Sequence, residues 1–314
     1  MINFSNEVKN ELARIMPEKD CCKKAEAAAI LNSSGYILNT NETILRIVNE
    51  NVAAARKVFK ILKESYDLKS TVVIDNRKRF KKNKVYIIDT ILNKENINVL
   101  ANFNILNDNC KINNKINWRL VGKKCCKRAY IRGLFLVRGF VNKPEGSYHL
   151  EIVCNDTKLA HDSKRLLAKC DIEARLTERK SNIIIYLKES EKIVDLLRII
   201  GANKALLEFE NVRIIKSMRN NVNRQVNCET ANLAKTVDAS LRQIELIKKV
   251  IDRHGVDIFP LGIKELAMLR IDYPDSTLKE LGNMMSPPLT KSGTAYRMRK
   301  LERICEQLLE DDYL

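Results

Sequence analysis

"CCKKAEAAAILNSSGYI" (Cys21–Ile37) and "CCKRAYIRGLFLVRGFV" (Cys125–Val141) share one layout. Each opens on two cysteines and a basic pair, continues through an apolar run, and closes on glycine and a β-former. A chain that repeats a segment of this length is built from two related units.

The text downstream of each copy runs in parallel. After Gly35, the alternation in Ile44–Val48 predicts a strand and the spacing from Val52 to Leu62 a helix. Strands are expected at Thr71–Ile74 and Val85–Ile88, then a helix over Glu95–Leu106. After Gly139 the order returns: strand His149–Val153, helix Leu159–Ala168, strands Arg175–Thr177 and Ile183–Leu187, helix Ile193–Ile200. Each copy therefore reads αββαββα. The opening helices offer Ala27, Ala28 and Ala29 from one copy and Gly133 from the other, small enough for two backbones to approach closely.

At 314 residues the chain has room for about two domains. Its formal charge of +17 favours a polyanionic partner, nucleic acid above all. Residues 211–314 carry +3 of that excess and the N-terminal part the other +14. Nothing approaches the ~20 apolar residues of a membrane span, and the start lacks the apolar core of a secretory signal. A cytoplasmic, nucleoid-associated protein is expected, its nine cysteines reduced.

The stretch "NRKRFKKNK" (Asn76–Lys84) lies between two expected strands as a hairpin tip. Arg77, Lys78, Arg79, Lys81, Lys82 and Lys84 there are candidates for a secondary DNA contact, with Phe80 placed to stack on a base.

Beyond Glu210 the composition changes. Residues 206–229, rich in Asn and Arg, read as a basic linker or short helix, and 230–314 as an all-α domain. Leu233, Val237, Leu241, Ile244, Ile247 and Ile251 recur at helical spacing, and Leu261–Ile271 is a further helix. Thr277 and Glu280 form a capping box ahead of Leu278, Leu281, Met284 and Met285. "SPPLTKSG" (Ser286–Gly293) is a turn, and Thr294–Glu310 the last helix. On that helix Ala295, Met298, Leu301, Cys305 and Leu308 share one face, while Tyr296, Arg299, Lys300 and Arg303 point away and Arg297 flanks them. This is the form of a recognition helix, with arginines suited to guanine and the rest to phosphate. The candidate DNA-binding element is therefore Ser276 to Glu310, especially Lys291, Ser292, Thr294, Tyr296, Arg297, Arg299, Lys300 and Arg303. The turn is longer than in the tight motif, as in winged or sigma-region-4-like variants.

"AAAILNSSG" and "IRGLFLVRG" resemble the paired motif helices of LAGLIDADG homing endonucleases. That resemblance implies two helices packed at a pseudo-twofold axis beneath two four-stranded sheets that saddle DNA, with a carboxylate near each helix end holding catalytic metal. The matching positions here are Ser34 and Arg138. Serine is a poor ligand for a hard cation and arginine repels one, so retained scaffold without nuclease chemistry is expected.

Both halves together, with "FSNEVKNEL" (Phe4–Leu12), "NVNRQVNCETANLAKT" (Asn221–Thr236) and "STLKELGNMMSPPLTKSGTAYRMRKLERI" (Ser276–Ile304), resemble the WhiA family of bacterial regulators over nearly the whole chain. The fold class is then α+β: two pseudo-symmetric repeats within 1–205 (about 1–108 and 109–205), followed by an all-α, sigma-region-4-like helix-turn-helix domain. The resemblance implies a non-catalytic double-stranded-DNA-binding protein tied to sporulation in actinomycetes, and to cell division and chromosome segregation in Firmicutes. The Lys- and Asn-rich composition favours the latter. Other transcription or division proteins are expected partners, and membrane is not. The competing readings are an active endonuclease, which needs acids at Ser34 and Arg138, and a protein- or ligand-binding platform with DNA binding confined to the C-terminal domain.

No cofactor is expected. Cys21, Cys22, Cys125 and Cys126 open the paired helices, so the fold could bring all four sulfurs near the pseudo-axis; they lack the usual two-residue spacer of a zinc site, and buried thiols rather than a metal or redox site are the expectation. His149, His161 and His254 stand far apart, and no P-loop or nucleophile-elbow motif is present.

Overall fold

Two compact units, Met1–Lys216 and Ser217–Leu314, make up the chain. The computed structural model describes residues 3–76 and 84–311.

The first unit contains both repeats in the expected element order. Copy one is α2 (Asp20–Ser34), β1 (Gly35–Asn39), β2 (Thr43–Asn49), α3 (Val52–Tyr66), β3 (Ser70–Asn76), β4 (Lys84–Ile91) and α4 (Lys94–Asn102). Copy two is α5 (Lys124–Arg138), β5 (Gly139–Val141), β6 (Leu150–Cys154), α6 (Thr157–Ala168), β7 (Arg175–Arg179), β8 (Asn182–Leu187) and α7 (Ser190–Ile200). The sheets are antiparallel, with matching orders β1-β2-β4-β3 and β5-β6-β8-β7.

An additional helix, α1 (Phe4–Arg14), precedes the repeats; Asn3 caps it and Phe4, Val8 and Leu12 are buried. The helix expected to reach Leu106 stops at Asn102, because Phe103–Leu106 turn back through backbone hydrogen bonds to Val99, Leu100 and Ala101.

Helices α2 and α5 pack along a seam of small residues. Cys22, Ala25 and Ala29 of α2 correspond in the repeat to Cys126, Ala129 and Gly133 of α5, and all six positions are small. Gly133 is the point of closest approach: a Cβ there would lie 2.6 Å from the Glu26 carbonyl oxygen and 3.0 Å from the Ala29 Cβ. The partner of Gly133 is thus Ala29, while Ala27 and Ala28 pack into the core.

Beside this contact sits Glu26, fully buried. Its Oε2 accepts from Arg132 Nε (3.0 Å) and Nη2 (2.7 Å), and its Oε1 is paired with Lys57, itself buried on α3. Lys57 also donates to the Leu12 carbonyl at 2.9 Å, which ties in α1. One carboxylate therefore joins four helices, and burial holds the Lys57 pKa below its ordinary value.

Each motif helix passes straight into its sheet at a glycine with extended backbone. A Cβ on Gly139 would come within 2.3 Å of the Phe135 ring, so steric room rather than an unusual φ requires glycine there.

The segment expected as a linker is helical. Residues 206–229 lie within α8 (Asn203–His254), a 52-residue helix that crosses the boundary between the units. Leu233, Val237 and Leu241, expected on a buried face, are 66%, 40% and 59% exposed. The helix enters the second core only near its end, through Ile247 and Val250. That core is completed by α9 (Leu261–Asp272), α10 (Leu278–Met284) and α11 (Lys291–Asp311). Met284 is exposed, and Leu281 and Met285 supply the buried contacts of α10.

Candidate nucleic-acid interface

The second unit presents α11 as an amphipathic rod. It begins three residues earlier than expected: the Thr290 hydroxyl accepts from the Gly293 amide (3.2 Å) and the Thr290 carbonyl from the Thr294 amide (2.9 Å), capping the helix at Lys291. Met298, Leu301 and Cys305 are buried. Opposite them Ser292, Tyr296, Arg299 and Arg303, at i, i+4, i+7 and i+11, form one exposed stripe with Lys300 beside it. Lys291 is exposed at the helix start, and Tyr296 is 67% exposed. Arg299 Nε rests on the Ala295 carbonyl at 3.2 Å, which keeps its guanidinium close to the helix surface.

Two residues expected to face DNA do not belong to that stripe. Thr294 is wholly buried, and its hydroxyl donates to the Thr290 carbonyl at 3.0 Å. It sits where α10 crosses closest; a Cβ on Gly282 would meet its Oγ1 at 2.3 Å. Arg297 is half-buried and its guanidinium lies over Gly262 at the start of α9.

The turn into α11 is fixed by Leu289, whose amide donates to the Gly282 carbonyl (2.8 Å). Thr277 and Glu280 form the expected capping box of α10. Sequence reading missed Arg270, buried on the core side of α9. Its Nη1 donates to the Ser276 carbonyl (2.8 Å), the Pro274 carbonyl (3.4 Å) and the Ser240 hydroxyl (3.3 Å). That side chain holds the α9–α10 loop against α8 and so sets the position of the helix pair. Its signal was a cation on the apolar spacing Ile263, Leu266, Ala267, Arg270.

In the first unit the two motif helices end beside a cavity of about 500 Å³, lined among others by Lys9, Ser34, Tyr36, Glu50, Arg138 and Asn155. The Ser34 hydroxyl is committed to the Ile30 carbonyl of its own helix at 2.7 Å. Arg138 Nε crosses the seam to the Ser33 carbonyl at 2.8 Å, placing a guanidinium on the unsatisfied, partially negative C-terminus of the opposite helix. Burial depresses the Arg138 pKa. Lys9 is pushed down to about 8, by burial and by the charge of Arg138, against the opposing pull of Glu50. Two cations thus face a single carboxylate. Among the described residues, the one group of three or more His, Cys, Asp or Glu side chains close enough to hold an ion is elsewhere, at the other end of these helices.

The open sheet faces are less basic than the chain's charge suggests. On the first sheet the register aligns Tyr36, Arg46, Asp89 and Thr71, and Arg46 is neutralised by a two-point pair with Asp89 at 2.7 and 2.6 Å. Val73 and Ile91 flank this row, 52% and 57% exposed. The second sheet aligns Phe140, Glu151, Tyr186 and Arg175. Of the hairpin cations, Lys84 is exposed at the start of β4, while Arg77, Lys78, Arg79, Lys81 and Lys82 lie outside the described residues.

Comparison with known proteins agrees with this division. Residues 20–106 match the WhiA N-terminal LAGLIDADG-like domain, 127–219 the WhiA LAGLIDADG-like domain and 222–305 the WhiA C-terminal HTH domain. The chain is 51% identical over 315 residues to a protein of Syntrophomonas wolfei named "Probable cell division protein WhiA", covering 99% of this chain and all of that one. This chain belongs to the WhiA family. A relative of the same name from Alkaliphilus metalliredigens is 44% identical, covering 98% of both chains. The crystal structure of full-length DUF199/WhiA from Thermatoga maritima shares the fold, with TM-score 0.60 at 21% identity over 98% of this chain and 99% of that one. No helix among the described residues is long and apolar enough to cross a membrane.

Proposed function

We propose that this family member is a non-catalytic regulator that binds double-stranded DNA through α11 and acts in cell division and chromosome segregation, controlling transcription at the sites it occupies. The exposed stripe Ser292–Tyr296–Arg299–Arg303, opposite a fully buried stripe on the same helix, carries this reading. Arginines so placed suit base edges in the major groove, and Tyr296, Lys300 and Lys291 suit phosphate. The helix-turn-helix identity of the domain and the cell-division name of the relatives support it. A cytoplasmic, nucleoid-associated location follows from that role.

Charge at the helix ends disfavours cleavage. The end of the α2–α5 seam carries Ser34 and Arg138 at the positions where the resemblance to LAGLIDADG nucleases implies paired acids, and with Lys9 lining the same cavity a divalent cation entering there meets like charge. The neutralised Arg46 and the exposed Val73 and Ile91 favour a further role for the first sheet as a platform for a protein partner.

The test is DNA affinity of the full chain against salt. Arg299→Ala and Arg303→Ala each lower affinity for a bound promoter duplex by about 1–3 kcal/mol, and Lys300→Ala reduces the salt slope by about one ion. These residues are exposed, so thermal stability should hold. Unchanged affinity and salt dependence in the triple variant would remove α11 as the reading helix.

A further inference from the structure

The far end of the α2–α5 seam holds the second feature of the repeat. Cys21 and Cys22 occupy the first turn of α2, and Cys125 and Cys126 the first turn of α5. Adjacent cysteines on one helix cannot form a site alone, and for that reason the missing spacer argued against one. The pseudo-twofold packing changes this. It brings the two pairs face to face, so that all four Sγ atoms lie within 4.8 Å of one another, with Cys125 and Cys126 at 3.9 Å. Cys22 and Cys126 are buried and Cys21 and Cys125 half-buried, with Ala25 and Ala129 as the layer beneath.

This spacing has a chemical meaning. A zinc ion takes four thiolates at about 2.3 Å in a tetrahedron, which sets neighbouring sulfurs about 3.8 Å apart. The four sulfurs need to close by less than an ångström or so to reach that edge. An iron–sulfur cluster interposes several irons and sulfides among its cysteines and needs a wider cage. The surroundings also suit a dianionic zinc–tetrathiolate: both pairs sit at positive helix N-termini, and Lys19, Lys123 and Lys124 flank them in sequence, while the adjoining Asp20 is paired with Lys23 at 4.0 Å. Four sulfurs, no open position and a buried floor describe a structural site rather than a catalytic one.

We infer that Cys21, Cys22, Cys125 and Cys126 form a closed tetrathiolate site for one zinc ion that clamps the two repeats together at the N-terminal end of their paired helices. Binding displaces the thiol protons to solvent and changes no oxidation state. The clamp complements Glu26 and Gly133 farther along the seam, and it is independent of any role in DNA binding.

The experiment is metal analysis of the full-length protein purified without chelator or added metal, with thiol counting on the folded protein before and after chelation. The site predicts about one zinc per chain and four thiols that become reactive only after chelation. Cys21→Ser with Cys125→Ser removes the zinc while leaving the cysteines outside the cluster unaffected. Should that variant misfold, cobalt titration of metal-free wild type decides the matter: the visible bands of a tetrahedral thiolate complex should saturate at about one ion and be displaced by zinc. A chelated sample should also unfold at a lower temperature and recover with zinc. Metal-free protein that neither takes up zinc nor gives the cobalt bands would overturn the inference. So would Cys21–Cys125 or Cys22–Cys126 disulfides in the freshly purified chain.

Discussion

Replacing Gly133 by alanine sets two effects of opposite sign against each other. In an ordinary helix interior the change stabilises by about 0.8–1.0 kcal/mol, because alanine is the better helix former. Here the new methyl would lie 2.6 Å from the Glu26 carbonyl oxygen and 3.0 Å from the Ala29 Cβ. The first neighbour is backbone of the facing helix and cannot swing aside, so the upper part of the ~1–3 kcal/mol overpacking range applies. The net expectation is a loss of about 1–2 kcal/mol. For a unit of this size that lowers the melting temperature by about 2–8 °C. Thermal unfolding followed by circular dichroism reads it directly. Gly122→Ala is the control: its nearest neighbour is the Arg119 carbonyl oxygen at 3.7 Å, so stability should hold or rise slightly. A Gly133→Ala protein as stable as wild type, or more so, would refute the close backbone approach at the seam.

Two further perturbations test the charges around that seam. Glu26→Gln keeps the shape but strands the buried Lys57 and the half-buried Arg132 without their carboxylate, and urea unfolding should show a loss of about 3–5 kcal/mol. Adding Lys57→Met should recover part of it, whereas a silent Glu26→Gln would deny the network any structural weight. Lys9 gives a pH signature. Its folded pKa of about 8 lies below the ordinary lysine value, so at higher pH the unfolded chain retains the proton that the folded chain releases. The penalty for burying its charge is complete below pH 8 and relieved as pH rises toward the unfolded value. Lys9→Met should therefore gain stability over wild type at neutral pH and lose that advantage in mild alkali; urea midpoints at the two pH values give the comparison.

The repeat was legible because its signal is local and written twice. Strand alternation in Ile44–Val48, the apolar run Ile183–Leu187 and helical spacing in Val52–Leu62 and Ile193–Ile200 each match an element of the structure. The departures came from elements whose fate is decided by tertiary neighbours. The stretch 206–229 reads as a linker because it is rich in Asn and Arg, yet α8 is continuous through it and its Phe209 is buried in the first core. Leu233 and Leu241 have helical spacing but remain exposed on that helix. Thr294 looked like a helix-start residue open to DNA, whereas Thr290 is the cap and the hydroxyl of Thr294 is satisfied within the helix, which permits its burial. The cysteine pairs depend on tertiary neighbours in the same way. Ligand-spacing rules describe one chain segment, and the four sulfurs meet only after two segments have packed.

Ser34 and Arg138 stand out through the resemblance of their helices to nuclease motif helices, and the structure adds what each side chain does. Ser34 bonds back to Ile30, and Arg138 places its charge on the carbonyl terminus of the opposing helix. A fixed guanidinium thus lies at the paired helix ends, beside the cavity that Lys9 and Glu50 also line. Arg270 and Glu26 were not singled out beforehand, since a polar residue within an apolar helical face gives no hint of its partners until those helices are in place.

The most direct measurement is a footprint of the full-length protein on a bound duplex in magnesium buffer, followed by denaturing electrophoresis of the same DNA. Grip without scission predicts a protected site whose strands remain intact, with protection lost in Arg299→Ala/Arg303→Ala. Magnesium-dependent breaks within the protected site, abolished by changes near Arg138 and Glu50, would contradict it.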